Sequence, residues 1–569
     1  MAEQAPEHST GPAAASRKRP RVSSIPAGRP APPPPPPAPT SSTSLPSAPS
    51  APLIPNESLG TLPIHPPAHY LSLASTNPSS TAFQQPFHLT SFSYSETREL
   101  LLEKDRKDEA LAVYREPRMG SDLNRGFPQA VWREGSVDEG LDALLDTLSE
   151  FARSDPNPPA AADLLSKISL VTWRGMLTKL MVAVYECESV SQGRRGDGWE
   201  MNAMVVDGCL YLEESNPPSK LAAKSANESS YLLQSYYGYS FESFCTQPHP
   251  SPTTASHTHP GADVFDPPNT NVQWCSVVKT NLGGFRTIVG GEVDCVRPGA
   301  DAGRISTRDF IELKTNMMIQ SQRDEVDFER QKLLKHYVQS FLLGVPTVTV
   351  GFRTRQGQLS GLQHFNTLEI PRLVRGKPHA WDPLTCLASA RELLSFIYRT
   401  VSTHASTVAA ESALSSTPAL APAPSSPCPS SPSSPSSPSL ASDGEDPLPS
   451  FPVFRLSFTP SSSALGPAGL TIRELTPGEV TEQVLGAKRD EKRVGFLLER
   501  WVREVRERRR KIASGATPSA PPPAPSTAAP GPSGRRVPPP PPPPPAATAA
   551  NGGGPVGGGS SSVLAGLKR

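Results

Sequence analysis

Two segments of this chain carry charged side chains at alternate positions within otherwise apolar runs. In IVGGEVDCV the charges are Glu292 and Asp294, and in DFIELKT they include Glu312 and Lys314. Both runs read as β-strands, in which residues two apart point to the same face. Because a buried charge is costly unless it is compensated, these four side chains need partners or a ligand.

The segment between the two runs, RPGADAGRISTR, is rich in turn residues, so we predict that the strands pair in antiparallel fashion. Pairing places three carboxylates and one ammonium on one surface. Close carboxylates repel unless a cation lies among them, and oxygen ligands favour Mg²⁺ or Mn²⁺. A lysine beside such a metal suits phosphodiester hydrolysis. The same spacing fits a solvated strand face with a cross-strand ion pair equally well.

The elements around these strands alternate between helical and strand patterns. Segment 173–186 begins as a helix and is also compatible with a strand at its end. The predicted helices are 138–152, 173–186, 324–344 and 493–511, and the predicted strands are 201–214, which is a hairpin about Asp207-Gly208, and 345–354, 453–458 and 470–475. This order indicates an α+β fold, a mixed β-sheet core flanked by helices.

The helix predicted over 324–344 has a polar stripe beside its apolar stripe. Lys332, Lys335, His336 and Gln339 recur at the i, i+3, i+4, i+7 spacing of one helical face. Gln339 is therefore expected outside the core.

Proline is distributed unevenly, with 69 Pro among 569 residues. We predict disordered tails at 1–83 and 513–569 and a disordered Pro/Ser-rich segment at 404–450, because these stretches lack periodic apolar residues. Residues 84–403 and 451–512 remain. The second range is too small to be stable alone, so we predict that it packs on the first and that 404–450 is an insertion.

Bulk composition excludes several classes of protein. A formal net charge of +1 leaves any nucleic-acid contact to local patches. Seven Cys without a CxxC pair support neither a zinc site nor a disulfide framework, and they fit a reducing compartment. No apolar stretch predicts secretion or a membrane span. The basic run SRKRPRV, 16–22, predicts a nuclear localisation signal, although a solvated basic cluster has the same composition.

Over most of its predicted ordered length the chain resembles the eukaryotic decapping nucleases, the Rai/DXO family of RNA 5′-end quality-control enzymes. Asp294 and Glu312-Leu313-Lys314 also have the spacing of the PD-(D/E)xK nuclease superfamily. The family motifs occur in one order: PFHLTSFSY, DLNRGF, VTWRGMLTKLM, LYLEE, YYGYSFE, NTNVQWCSVV, GGEVDC, IELKT, KLLKHYVQSFLLGVPTVTVGFR and RVGFL.

The resemblance implies a nuclear, Mg²⁺- or Mn²⁺-dependent hydrolase with a PD-(D/E)xK nuclease-like fold. It implies 5′-triphosphate RNA, defective caps and NAD caps as substrates, with possible 5′→3′ trimming, and the nuclear 5′→3′ exoribonuclease as a partner. The implied metal ligands are Glu242, Glu292, Asp294, Glu312 and the carbonyl of Leu313. The implied catalytic residues are Glu312, Lys314 and Gln339, and the implied substrate contacts are Arg174, Lys314 and Gln339.

Several features stay open at this stage. Ser240 stands where the family often has Lys. The loop 246–268 is longer than expected, and its His249, His257 and His259 suggest a metal site, but the lack of a Cys or acidic partner at ligand spacing favours a polar insertion. The basic end of the last helix is a solvated face or a phosphate contact. A non-catalytic partner of the exoribonuclease and a DNA nuclease are the alternative functions.

Overall fold

The structure is a computed structural model that describes residues 58–194, 196–249, 265–415, 448–461, 468–486 and 492–514. The predicted localisation run, the end of the C-terminal tail and most of the predicted insertion lie outside these residues. So do His257 and His259 of the long loop.

Strands and helices alternate along the described chain. The strands are β1 Gly60–Pro63, β2 Phe87–Tyr94, β3 Leu100–Leu101, β4 Ala112–Tyr114, β5 Leu170–Trp173, β6 Trp199–Val206, β7 Cys209–Glu214, β8 Thr246–Pro248, β9 Gln273–Leu282, β10 Phe285–Glu292, β11 Cys295–Val296, β12 Phe310–Met317, β13 Thr347–Arg353, β14 Leu359–Asn366, β15 Phe454–Thr459, β16 Gly469–Glu474, β17 Arg493–Val494 and β18 Leu497–Leu498. The helices are α1 Pro67–Thr76, α2 Asp142–Ser154, α3 Pro158–Ser166, α4 Arg174–Ser191, α5 Pro218–Cys245, α6 Gln322–Asp327, α7 Leu333–Leu343, α8 Ile370–Val374, α9 Pro383–Ser415, α10 Pro477–Glu479 and α11 Glu499–Ala513.

Two mixed sheets form the core of the described part. The larger has the order β1-β16-β15-β6-β7-β5-β10-β9-β2-β3, and the smaller has the order β14-β13-β12-β11-β4-β8. Helices flank both sheets, so the predicted α+β class is confirmed. None of the described helices combines the length and the apolar character needed to span a membrane.

The hairpin β6–β7 forms at the predicted turn. Asp207 and Gly208 have φ angles of 45° and 78°, the left-handed pair that a type I′ turn requires and that Asp-Gly tolerates. The strands on either side are fully paired, from Val206 with Cys209 outwards. The prediction over 201–214 is confirmed.

The segments 288–296 and 309–315 pair only through Cys295 and Val296. The prediction of a single strand over 288–296 is therefore wrong. Strand β10 ends at Glu292 in the larger sheet, and β11 begins at Cys295 in the smaller sheet. Only β11 pairs with β12, with Cys295 opposite Ile311. The chain therefore crosses between the sheets at 293–294, and this crossing leaves Glu292 and Asp294 in the gap between them.

The helix predicted over 324–344 is interrupted by a π-helical turn. Ser321 and Asp324 form a capping box that starts α6. A π-helical segment, Phe328–Lys332, joins α6 to α7, and Gly344 ends α7 in the left-handed conformation with φ 72°. Trp173 ends β5, and the rest of the segment 173–186 is helical and contains the buried Leu177, Leu180 and Met181, so the strand alternative for its end is wrong.

The C-terminal segments complete the larger sheet. Strand β15 pairs with both β6 and β16, so the sheet contains strands from both sides of the predicted insertion. The last helix is shorter than predicted, because 493–498 form the small β17–β18 pair. Helix α11 buries Trp501 and Val502.

The boundaries of the predicted disordered segments are wrong at two ends. Residues 58–83 contain β1 and α1, with Tyr70 fully buried. Helix α9 continues to Ser415, into the predicted 404–450 insertion. The ordered structure of residues 58–83 depends on a partner that is distant in sequence, since β1 pairs with β16. The local composition of 58–83 therefore does not indicate this order.

Replacement of Tyr70 by Ala tests the packing of this N-terminal segment. We expect Tyr70→Ala to lower the free energy of unfolding by about 3–5 kcal/mol, as for other buried aromatic residues. The matched control is Leu71→Ala, because Leu71 is 43% exposed on the same helix and should cost under about 1 kcal/mol. Equal losses in chemical denaturation would contradict the packing of α1.

Candidate functional site

The four predicted carboxylates meet in the gap between the sheets. Glu242 lies on α5, Glu292 ends β10, Asp294 follows it, and Glu312 lies on β12. Burial, and then the charges of Asp294 and Glu292, hold the pKa of Glu242 well above its ordinary value. Burial raises the pKa of Asp294 to about 7, with Glu312 and Glu292 adding to the rise and Lys314 opposing it. The carboxylates thus form one electrostatic cluster.

Glu312 differs from the other carboxylates because cations compensate it. Its side chain is fully buried, its Oε1 lies 2.7 Å from Nζ of Lys314, and its Oε2 accepts a 2.8 Å hydrogen bond from Nη1 of Arg174. Burial raises the pKa of Glu312, but Arg174 and Lys314 outweigh it and lower the pKa to about 2. Glu312 is therefore ionised at neutral pH.

Lys314 is held at the centre of the cluster. Its Nζ donates a 3.0 Å hydrogen bond to the carbonyl of Leu313 and lies 3.7 Å from Oδ2 of Asp294. That same Oδ2 accepts a 2.6 Å hydrogen bond from the Leu313 amide. Burial lowers the pKa of Lys314, but the charges of Glu312 and Asp294 raise it overall. The ammonium is therefore suited to electrostatic stabilisation.

Arg174 lies at the edge of the carboxylate cluster and contacts Glu312. It starts α4, and its side chain is 15% exposed and bonded to Glu312. A Cβ at Gly291 would lie 3.1 Å from the Cβ of Arg174 and 2.8 Å from Leu343. Gly291 thus permits α4 and α7 to approach β10. Contact of Arg174 with RNA stays a prediction.

Gln339 is half-buried on α7, and its side chain makes no hydrogen bond to any residue that the structure describes. One turn earlier His336 is buried, and burial and the charge of Lys314 lower its pKa to about 3. Lys332 donates a 2.6 Å hydrogen bond to Asn316 of β12. Lys332 and His336 therefore lie towards β12, whereas Lys335 pairs at 3.0 Å with Glu186 of α4. Contact of Gln339 with water and phosphate stays a prediction.

A second layer of residues, which the motifs did not reveal, orients Glu292. Its Oε2 accepts a 3.1 Å hydrogen bond from Gln273, whose Oε1 accepts a 2.7 Å bond from Arg98. Arg98 also makes a bidentate pair with Glu139 and stacks 3.5 Å above the Tyr94 ring. The only sequence signal was the position of Gln273 within the NTNVQWCSVV motif.

The donor chemistry of the cluster fits a hard divalent cation. No three His, Cys, Asp or Glu side chains among the described residues are already arranged to hold a metal ion. However, Oε1 of Glu312 is buried without an aligned hydrogen bond, and the pKa values of Glu242, Glu292 and Asp294 are raised, mainly by burial. A cation among oxygen ligands would compensate this negative charge.

The remaining candidates lie away from the cluster or are paired. His249 contacts the carbonyl of Ala300, 3.1 Å from its Nε2. Ser240 is fully buried. In the basic end of α11, Arg503, Arg508 and Lys511 each pair with a glutamate four residues earlier, at 2.5, 3.4 and 2.7 Å. This pairing favours a helix-surface role for these three residues over a phosphate contact.

Comparison with known proteins gives relatives of one kind. A sequence profile of the family described as RAI1 like PD-(D/E)XK nuclease matches residues 84–417. A protein named Decapping nuclease RAI1 from Mycosarcoma maydis is 37% identical over 393 residues, 59% of this chain and 75% of that protein. The Decapping and exoribonuclease protein of Homo sapiens is 36% identical over 282 residues, 49% of this chain and 66% of that protein.

Solved structures share the fold. Scheffersomyces stipitis Rai1, in complex with 3′-NADP⁺ and calcium, superposes with a TM-score of 0.54 at 20% identity, covering 80% of this chain and all of that chain. Candida albicans Rai1, in complex with pU5 and Mn²⁺, superposes with a TM-score of 0.53 at 19% identity, covering 75% and 96%. At these identities the likeness concerns the fold alone.

The profile spans more than half of the chain, and the Mycosarcoma relative is 37% identical over three quarters of its own length. The resemblance seen in the motifs is thereby confirmed: the chain belongs to the RAI1-like PD-(D/E)XK nuclease family.

Proposed function

We propose that this chain is a divalent-metal-dependent hydrolase that removes pyrophosphate or a defective or NAD cap from RNA 5′ ends. The observation that carries the proposal is the arrangement of Glu312, Lys314 and Asp294 between the two sheets, with Glu312 ionised and an ammonium 2.7 Å from it. The decapping relatives supply the substrate class.

The proposed ligands of the metal are Glu242, Glu292, Asp294, Glu312 and the Leu313 carbonyl. A bound Mg²⁺ or Mn²⁺ supplies Lewis acidity and lowers the pKa of water. Lys314, which keeps its proton, neutralises charge that develops on the phosphate. Glu312 and Gln339 orient the water, and Gln339 also contacts the scissile phosphate. Arg174 holds the carboxylate of Glu312 in place and contacts the RNA. Water adds to phosphorus and loses a proton to solvent, the P–O bond to the leaving group breaks with its electron pair on the leaving group, and the RNA keeps a 5′-monophosphate.

Several finer properties belong to the same proposal. The leaving group is pyrophosphate from triphosphate ends and a dinucleotide from capped ends. The complexes of related Rai1 proteins with 3′-NADP⁺ and pU5 support nucleotide caps and single strands as ligands. The human relative's name supports 5′→3′ exonucleolytic trimming. We further propose nuclear localisation through 16–22 and association with a nuclear 5′→3′ exoribonuclease.

Removal of two predicted ligands tests the metal site. We expect Glu292→Ala/Asp294→Ala, or EDTA, to reduce release of 5′-monophosphate RNA at least about 100-fold, because charge stabilisation at the phosphate is lost. The measurement compares triphosphate, unmethylated-cap, methylated-cap and NAD-capped forms of one RNA. Asp163→Ala, at a surface carboxylate that is 51% exposed, is the control.

Three outcomes would contradict this proposal. Full activity of the double variant would remove these residues from the site. Folded wild type that is inactive on every RNA end would favour the non-catalytic partner function. Equal cleavage of a matched 5′-phosphorylated DNA would favour a DNA nuclease.

Lys314→Met separates the role of the ammonium from substrate binding. We expect kcat to fall about 10²–10³-fold, because the lost interaction acts on charge in the transition state, while KM changes less. Lys167→Met, at a lysine that is 55% exposed, should leave both parameters unchanged. A rise in KM with unchanged kcat would show that Lys314 only binds substrate.

The localisation proposal has its own test. Replacement of Arg17, Lys18, Arg19 and Arg21 by Ala in the tagged full chain should move fluorescence from the nucleus to the cytoplasm, because the basic cluster is lost. Replacement of Lys568 and Arg569 is the control. Unchanged nuclear fluorescence would show that another segment directs the protein.

A further inference from the structure

A partly exposed aromatic pair lies beside the carboxylate cluster. The rings of Trp132 and Tyr239 have centroids 6.0 Å apart and cross at 80°, and we call this pair the aromatic rim. Tyr239 is 37% exposed, whereas its neighbour Tyr236 is fully buried and its hydroxyl donates to the carbonyl of Arg125. Tyr236 is therefore held by packing in the core, whereas Tyr239 is partly exposed to solvent.

Both rings of the aromatic rim are placed against the cluster. Tyr239 precedes Glu242 by three residues on α5, so the two side chains are neighbours on one side of the helix. Trp132 precedes Arg133, whose charge acts on the carboxyl of Glu292. The Arg133 amide is fixed by a 2.7 Å hydrogen bond to Oγ1 of Thr270, which holds this segment at the edge of the site.

A cationic side chain contacts the other flank of α5, up to about two helical turns before Glu242. At 100° per residue, Tyr239 lies about 60° to one side of Glu242 on α5, and Gln234 about 80° to the other. Gln234 accepts a 3.2 Å hydrogen bond from Arg353, whose guanidinium stacks 4.2 Å above the ring of Tyr237. Lys332 lies close enough for its charge and that of Arg353 to interact.

An aromatic surface thus lies on one flank of Glu242, and cationic side chains lie on both flanks, with Arg133 beside Trp132 and Arg353 on the other flank. Phosphates are attracted to the cations, whereas a planar nucleobase gains free energy by stacking on aromatic rings. Since every base has a π-face, such stacking tolerates any base.

We propose that the aromatic rim binds a nucleobase at the RNA 5′ end by stacking, and so sets the register of the phosphates over the carboxylates. This inference rests on the proposed function. Two bases could supply the stacking group: the base of the cap nucleotide and the base of the first transcribed nucleotide.

Steady-state kinetics of Trp132→Ala and Tyr239→Ala test the proposal. We expect KM to rise about tenfold for a substrate whose base stacks on the rim, with kcat nearly unchanged, and Trp132→Phe and Tyr239→Phe to restore most of the loss. The control is Phe87→Ala, because Phe87 is an aromatic residue that is 59% exposed on β2.

The substrates distinguish the two sources of the base. A KM effect on NAD-capped RNA but not on triphosphate RNA identifies the cap nucleotide. A KM effect on triphosphate RNA that disappears with an abasic first nucleotide identifies the first transcribed base. Unchanged KM for both Ala variants on every substrate overturns the proposal, and so does a loss confined to kcat.

Equilibrium binding separates this inference from the proposed reaction. Binding of NAD⁺ and of a labelled 5′-phosphorylated oligonucleotide is measured by fluorescence in EDTA, where no turnover occurs. If the wild type hydrolyses no RNA end but binds a probe about tenfold more tightly than Trp132→Ala, the proposed reaction is contradicted and base binding by the aromatic rim is supported. If both proteins bind both probes equally, base binding by the aromatic rim is contradicted, whatever the hydrolytic activity.

Discussion

The compensation of one buried carboxylate determines the geometry of this molecule's centre. Glu312 has no exposure to solvent, and its charge is matched by Lys314 on the same strand and by Arg174 at the start of α4. Loss of one partner of a buried ion pair typically costs about 3–5 kcal/mol. The ion pair of Arg174 with Glu312 therefore ties α4, which packs on the larger sheet, to a strand of the smaller sheet.

The gap between the sheets exists because small residues permit close packing around it. A Cβ at Gly290 would lie 2.7 Å from the Trp173 ring, and one at Gly291 would meet α7. Gly351 on β13 likewise leaves room for the ring of Phe241, which brings α5 and its Glu242 towards the crossing. Side chains at these glycines would move the elements that supply the site.

The carboxylates differ in charge state because their surroundings differ. Cations keep Glu312 ionised, whereas burial raises the pKa of Asp294 to about 7 and the pKa of Glu242 well above the ordinary value. Unequal environments are a usual way to give neighbouring carboxyl groups different roles. Here the ammonium of Lys314 lies among one carboxylate that stays ionised and several carboxyl groups with raised pKa values. This arrangement suits the binding of a divalent ion and a phosphate.

Local periodicity and motif order were enough to predict several features of this protein. Alternation placed Glu312 and Lys314 on one face, helical spacing placed Gln339 outside the core, and Asp207-Gly208 indicated the hairpin. The motifs indicated the family and most of the candidate site residues. Each of these signals lies within one element or within a short motif.

Which elements meet is visible only in the folded structure. It places β10 and β11 in different sheets and turns Arg174 towards Glu312. It pairs β1 with β16, so that Thr61 contacts Thr471, which lies 410 residues further along the chain. It also revealed Gln273 and Arg98 behind Glu292. The physical reason is that periodicity encodes the face that a segment buries, whereas the partner of that face depends on packing across the whole chain.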